Sequence, residues 1–158
     1  SDQQDRMQTA VVALTFLTAD CPENVFQAYN AGALELLMQH VDSNVAGMRA
    51  AAATTLRNIC TEKEEYRRKF VRLGGLTGLV NQLRVSPHST LVMADVQLEA
   101  VLNLQDLLED ENGEVMEEYA REAIKAGAKA KLMELTKVED DEVKGSAEDV
   151  LDSLSKFS

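Results

Sequence analysis

Apolar side chains along this chain recur at three- and four-residue intervals, in short runs closed by glycine or by polar clusters. That is the period of an amphipathic helix. Three glycines, Gly32, Gly74 and Gly127, set a common register. Four and three residues before them stand Ala28/Tyr29, Phe70/Val71 and Ala123/Ile124, and directly before them stand Ala31, Leu73 and Ala126. The pattern predicts one short helix ending at glycine, three times over. Two residues past each glycine come Leu34, Leu76 and Lys129, and five and six past come Leu37/Met38, Leu79/Val80 and Leu132/Met133. A second helix follows from that spacing, and glycine between the two turns the backbone without a β-carbon clash.

A third, longer helix closes each repeat, over residues 45–60, about 91–108 and 143–154. Its core marker is a Leu followed three residues later by another aliphatic: Leu56/Ile59, Leu104/Leu107 and Leu151/Leu154. The same pair precedes the first glycine as Leu14/Leu17, which predicts a lone third helix from about residue 6 to 18. The glycines are 42 and 53 residues apart, and the leucine markers 42, 48 and 47. A three-helix repeat needs roughly 40–47 residues. The middle repeat is lengthened by Ser86-Pro87-His88-Ser89-Thr90 before its third helix and by Glu109-Asp110-Glu111-Asn112-Gly113-Glu114 after it, both of loop composition. The expected organisation is a single domain over 1–158: a partial repeat 1–20, then repeats 21–62, 63–114 and 115–158, cut from a longer array.

Composition sharpens this. Apolar residues make up 45% but aromatics only 4%, with no Trp, so the core must be built of Leu, Val, Ala, Ile and Met. No apolar run reaches the roughly 18 residues of a membrane span. Cys21 and Cys60 sit at apolar helical positions, which points to reduced, buried thiols and a cytoplasmic protein, with the nucleus as the second choice. The net charge of −11 lies wholly in residues 95–158, with eighteen acids against seven bases; residues 1–94 balance at nine each. Such a half repels phosphate, which argues against nucleic acid and is compatible with a basic partner or a solvated face. The one basic cluster, Arg67-Arg68-Lys69 with Arg72 and Arg84, follows Glu62, Glu64 and Glu65 at a spacing that allows local pairing. Ser86-Pro87 has the form of a proline-directed phosphorylation motif.

Catalytic chemistry needs converging groups. His40 and His88 are the only histidines, and with Cys21 and Cys60 they make no metal-ligand spacing. The acidic runs Glu109-Asp110-Glu111 and Glu139-Asp140-Asp141-Glu142 sit at helix ends, where solvation explains them. No catalytic residue, metal or cofactor is expected.

The glycine-centred motifs resemble the armadillo repeat family. The resemblance runs through Asn24, Ala28-Tyr29, Ala31-Gly32-Ala33-Leu34 and Leu37-Met38; then Phe70-Val71, Leu73-Gly74-Gly75-Leu76, Leu79-Val80 and Leu83; then Ile124, Ala126-Gly127-Ala128, Leu132-Met133 and Leu135. It implies an all-α, right-handed α-α superhelix of three full repeats plus a partial one. HEAT repeats rank second, because their usual Pro, Asp and Arg marks are missing here. Lys129 departs from an apolar position and suggests a solvent-facing cap. Only Asn58 matches the family's third-helix asparagine; Phe16, Asp106 and Ser153 stand at that place elsewhere. The tryptophan that accompanies it in nuclear transport receptors is absent, so their peptide ladder is not supported.

What the resemblance implies for function is a non-catalytic adaptor or scaffold that binds an extended protein segment along the third helices, on the concave side. The residues aligned on that face are Thr54, Arg57 and Asn58, then Leu102, Gln105, Asp106 and Glu109, then Asp149 and Ser153. Asn58 would donate to and accept from a peptide backbone together. Asp106, Glu109 and Asp149 favour a basic partner. Two alternatives stand beside this: a regulator or nucleotide-exchange factor of a heat-shock chaperone ATPase, and a structural protein that self-associates through an open end.

Overall fold

A computed structural model describes residues 2–84 and 91–157, so the Ser86–Thr90 loop and its Ser-Pro motif lie outside the described residues. Among those residues the chain forms ten α-helices: α1 (Asp2–Thr18), α2 (Pro22–Asn30), α3 (Ala33–Met38), α4 (Ala46–Cys60), α5 (Glu64–Arg72), α6 (Gly75–Asn81), α7 (Leu91–Leu108), α8 (Glu117–Lys125), α9 (Ala128–Leu135) and α10 (Asp141–Ser155). The only β-type pairing among them is an isolated bridge between Glu109 and Val115. The chain divides into two compact halves, one up to Gly75 and one from Leu76 onward.

The junction glycines do what their register requires. Gly32, Gly74 and Gly127 take φ of 87°, 85° and 95°, a left-handed backbone that side chains with a β-carbon rarely adopt. The turn is closed by paired bonds from the main chain: Ala31 N and Gly32 N donate to the carbonyls of Gln27 and Tyr29, and Ala126 N and Gly127 N to those of Glu122 and Ile124.

In the first half, α4 is the central helix, packed by α1, α2, α3 and α5. Ala51, Ala52 and Ala53 are buried along it and let its neighbours come close. Threonines knit α1 to α4: Thr15 Oγ1 and Thr55 Oγ1 are 2.8 Å apart, so that with Thr55 Oγ1 donating to the Ala51 carbonyl oxygen at 2.8 Å, Thr15 Oγ1 donates to Thr55 Oγ1. In the second half, α10 packs against α7, α8 and α9, with Val143, Ala147, Val150 and Leu154 buried. Its start is fixed by Asp140, whose carboxylate accepts from the backbone N–H groups of Glu142 and Val143 at 3.1 and 3.0 Å. Asp140→Ala removes that cap, and a urea melt is expected to show a loss of about 1 kcal/mol.

The expectations for individual residues divide. Leu56/Ile59 and Leu104/Leu107 are buried as markers of the core, and so is Leu154. Leu17 is not: it is 56% exposed, because α1 turns Val11 and Thr18 toward α4 instead. α1 also begins near residue 2 rather than 6. Lys129 is half-buried where its counterparts Leu34 and Leu76 are buried. The basic cluster splits up, since successive residues on a helix point about 100° apart. Arg67 is buried, Arg68 pairs with Glu64 at 3.6 Å within α5, and Lys69 reaches Glu35 on α3 at 2.7 Å.

Candidate functional site

The expected site residues lie on α4, α7 and α10 or directly after them, and they form two groups. In the first half, Thr54, Arg57 and Asn58 are half-buried on α4. Asn58 is held from within the fold: its Nδ2 donates to the Thr15 carbonyl oxygen and to Thr18 Oγ1, both at 3.2 Å. The side-chain amide therefore ties α4 to α1, and its donor is not at a ligand's disposal as the resemblance implied. The carbonyl end alone is left for that task. Phe16, which occupies the same register on α1, is 76% exposed, an apolar surface where the family places an amide. Its register was visible in the sequence; its exposure was not.

In the second half, α7 and α10 pack on each other, which brings the remaining residues onto two neighbouring helices. Leu102 and Asp106 are exposed and Gln105 half-buried on α7; Asp149 is exposed and Ser153 half-buried on α10. Two of the polar groups are used locally. Gln105 Nε2 donates to Glu109 Oε1 at 3.1 Å, and Ser153 Oγ donates to the Asp149 carbonyl oxygen at 3.0 Å. Glu109 stands one residue past the end of α7, in the bridge to Val115, so its carboxylate is shared with Gln105. The exposed residues among these are Leu102 and Asp106, one turn apart on α7, and Asp149 on α10.

A second cluster, which the sequence did not suggest, lies in the first half. Tyr29 and Tyr66 stack with ring centroids 4.0 Å apart, and Lys69 Nζ sits 4.8 Å from the Tyr29 ring while bonding Glu35. The hydrogen bond to Lys69 holds the Glu35 carboxyl below the usual carboxylate range, and the bond from Glu35 raises the Lys69 ammonium above its own. The arrangement locks α2, α3 and α5 together by stacking and cation–π contact.

Among the described residues no group of three His, Cys, Asp or Glu side chains is placed to hold a metal ion. A half-open cavity of about 340 Å³, lined by Gln3, Gln4, Met7, His40, Ser43 and Met48, contains an imidazole but no carboxylate to orient it. Both cysteines are free thiols. Burial pushes Cys60 up to about 12, against a smaller opposing pull from the Arg67 charge, so it stays protonated at neutral pH. Cys21 is partly exposed. A disulfide reagent such as Ellman's is expected to titrate one thiol in the native protein and the second only after denaturation; Cys21→Ser should leave the native protein silent.

Residues 21–61 match the family profile described as the Armadillo/beta-catenin-like repeat. The chain also superimposes, with a TM-score of 0.83 and 32% identity over 92% of its length, on ARO, the armadillo repeats only protein from Plasmodium falciparum. The fold of the chain is armadillo-like. A designed armadillo repeat protein solved in complex with the peptide (KR)4 is similar at 26% identity and a TM-score of 0.71, over 93% of this chain. An engineered protein is similar at 27% identity and 0.72, over 93%. The chain spans 60%, 57% and 56% of the lengths of those three structures. No curated protein sequence matches it. Among the described residues no helix is long and apolar enough to cross a membrane.

Proposed function

We propose that the exposed faces of the long helices hold an extended segment of another protein, and that the chain serves as a non-catalytic adaptor or scaffold. The observation that carries this is that exposed Leu102 and Asp106, one turn apart on α7, and exposed Asp149 lie on two helices that pack against each other. Acidic charge around an apolar side chain attracts a basic segment and gives it something to bury. The likeness to a designed armadillo repeat protein in complex with (KR)4 supports the same occupant. The two free thiols, one fully buried, support a reducing compartment, the cytoplasm or nucleus.

The test is fluorescence anisotropy with a dye-labelled (KR)4 peptide. Binding is expected at micromolar or weaker affinity, roughly −8 kcal/mol or less in magnitude, and should weaken as salt rises. Asp106→Lys with Asp149→Lys is expected to lower affinity by at least about tenfold, since like charge at the contact replaces attraction. Asn58→Ala should act differently, loosening α1 from α4 with no change in surface charge. Affinity untouched by the double charge reversal would sink the assignment.

A further inference from the structure

Asn112 is the one asparagine of the chain's seven that precedes a glycine; the other six are followed by Val25, Ala31, Val45, Ile59, Gln82 and Leu104. A side-chain carboxamide is open to attack by the backbone nitrogen of the next residue, and a β-carbon on that residue obstructs the approach. Gly113 has no β-carbon, and nothing stands within 4 Å of the place where one would be. Both residues are exposed, in the loop between α7 and α8. Asn112 is held by its main chain, its N–H donating to Asp110 Oδ1 at 2.8 Å, which leaves the carboxamide free to turn. Two further bonds close the loop around it. Gly113 N donates to the Asp110 carbonyl oxygen at 3.0 Å, and Glu114 N donates to Asp110 Oδ1, also at 3.0 Å. The attacking nitrogen is thus engaged while the loop is closed, and the Oδ1 bonds that keep it closed are exposed to water.

We propose that Asn112-Gly113 is a self-modification site, where the side-chain amide is lost spontaneously at a rate set by the Asp110 turn. In the opened loop Gly113 N attacks Asn112 Cγ. A bond forms between them, the Cγ–Nδ2 bond breaks, and the amide proton of Gly113 leaves with the departing ammonia. The product is a five-membered cyclic imide. Water then opens that ring at either carbonyl. Opening at Cγ leaves aspartate; opening at the main-chain carbonyl leaves isoaspartate, whose backbone runs through the β-carbon. In sum one amide and one water give one carboxylate and one ammonium, with no electron transferred and no second protein required. The closed loop protects the site, because Gly113 N must first leave the Asp110 carbonyl oxygen. Exposed loops of this kind open more readily than helices. The new carboxylate joins Glu109, Asp110, Glu111 and Glu114, so residues 109–114 gain one negative charge. The flanking helices feel little of it, since the Glu109–Val115 bridge and the bond from Met116 N to the Leu108 carbonyl oxygen pin the ends of the loop. The site does not depend on the peptide-binding role of α7 and α10.

The experiment incubates the intact chain at neutral pH beside Asp110→Ala, Asn112→Gln and a synthetic peptide of residues 106–118. Peptide mapping by mass spectrometry reads the exchange of amide for acid, and labelling by an isoaspartyl carboxyl methyltransferase reads the isoaspartate. Conversion is expected at Asn112 before any other asparagine, and at least about fivefold slower than in the peptide, the equilibrium worth of one hydrogen bond. Asp110→Ala, which deletes both Oδ1 bonds, should speed it by at least about fivefold. Asn112→Gln should stay unconverted, because its longer side chain has to close a six-membered ring. The converted protein should keep its Tm to within about 2 °C, as a surface change with no core contact altered. A parent that stays intact while the peptide reacts to completion overturns the proposal, and so does faster conversion at another asparagine. Equal rates in parent, peptide and Asp110→Ala overturn the role given to the turn. Circular dichroism checks that the variants are folded. If Asp110→Ala is not, the parent in urea replaces it: conversion there must be at least about fivefold faster than in the native protein, and an equal rate overturns the gating.

Discussion

Tyr119→Ala is expected to cost about 3–5 kcal/mol, the range for removing a large buried aromatic. Tyr119 is fully buried in the first turn of α8, which packs against α9 and α10. Alanine leaves a cavity the size of the ring, and close-packed helices collapse into it only in part. Against a total stability of about 5–15 kcal/mol, such a loss brings the second half near its unfolding threshold. The control lies at the same register, eight residues before the junction glycine. Asn24 there is half-buried and donates through Nδ2 to the Leu17 carbonyl oxygen at 2.7 Å. Asn24→Ala should cost about 1 kcal/mol, the worth of one hydrogen bond. Urea denaturation of both variants checks the contrast; equal losses would mean that register, rather than burial, sets the cost.

Gly75→Ala is expected to destabilise by about 1–3 kcal/mol although alanine is the better helix former, because overpacking outweighs propensity here. A β-carbon on Gly75 would fall inside the Phe70 ring, on the Cδ2, Cε2 and Cζ edge. The corresponding pairs in the other two repeats are Ala28 with Ala33 and Ala123 with Ala128. The volume has been moved from one partner to the other. Phe70→Ala alone should cost about 3–5 kcal/mol, and adding Gly75→Ala to it should cost less than the sum, by about 1 kcal/mol or more. A double-mutant cycle measures that coupling, and strict additivity would show that the two residues do not share the space.

The glycine register made much of this fold legible, because it reports a backbone requirement that few other residues meet. Helix ends near Gly32 and Gly127 follow from it directly. The exposure of Leu17 could not be read the same way: the marker pair shows what a third helix wants to bury, and only packing shows whether anything covers it. Asn58 illustrates a different limit. Its place in the family motif is visible in the sequence, yet the two acceptors that hold its amide, the Thr15 carbonyl and Thr18 Oγ1, lie about 40 residues away. Composition located the acidic half; the packing of α10 on α7 is what set Asp149 beside the helix that bears Asp106 and Leu102. Arg67, Arg68 and Lys69 looked like one basic patch in the chain and became a buried side chain, an intrahelical pair and a bond to another helix.

The loop after α7 is closed upon itself. Asp110 N donates to the Glu114 carbonyl oxygen at 2.8 Å, Met116 N to that of Leu108 at 2.9 Å, and Asp110 Oδ1 accepts from the N–H groups of Asn112 and Glu114. Its two feet, Glu109 and Val115, are bridged. Residues between them can therefore be added or lost without shifting the end of α7 or the start of α8, and lengthening a loop whose ends are already pinned costs little entropy. This makes Glu111–Asn112 a natural port of entry: a place where related chains can differ in length, and where an epitope or fluorophore can be inserted to follow the protein without disturbing either helix.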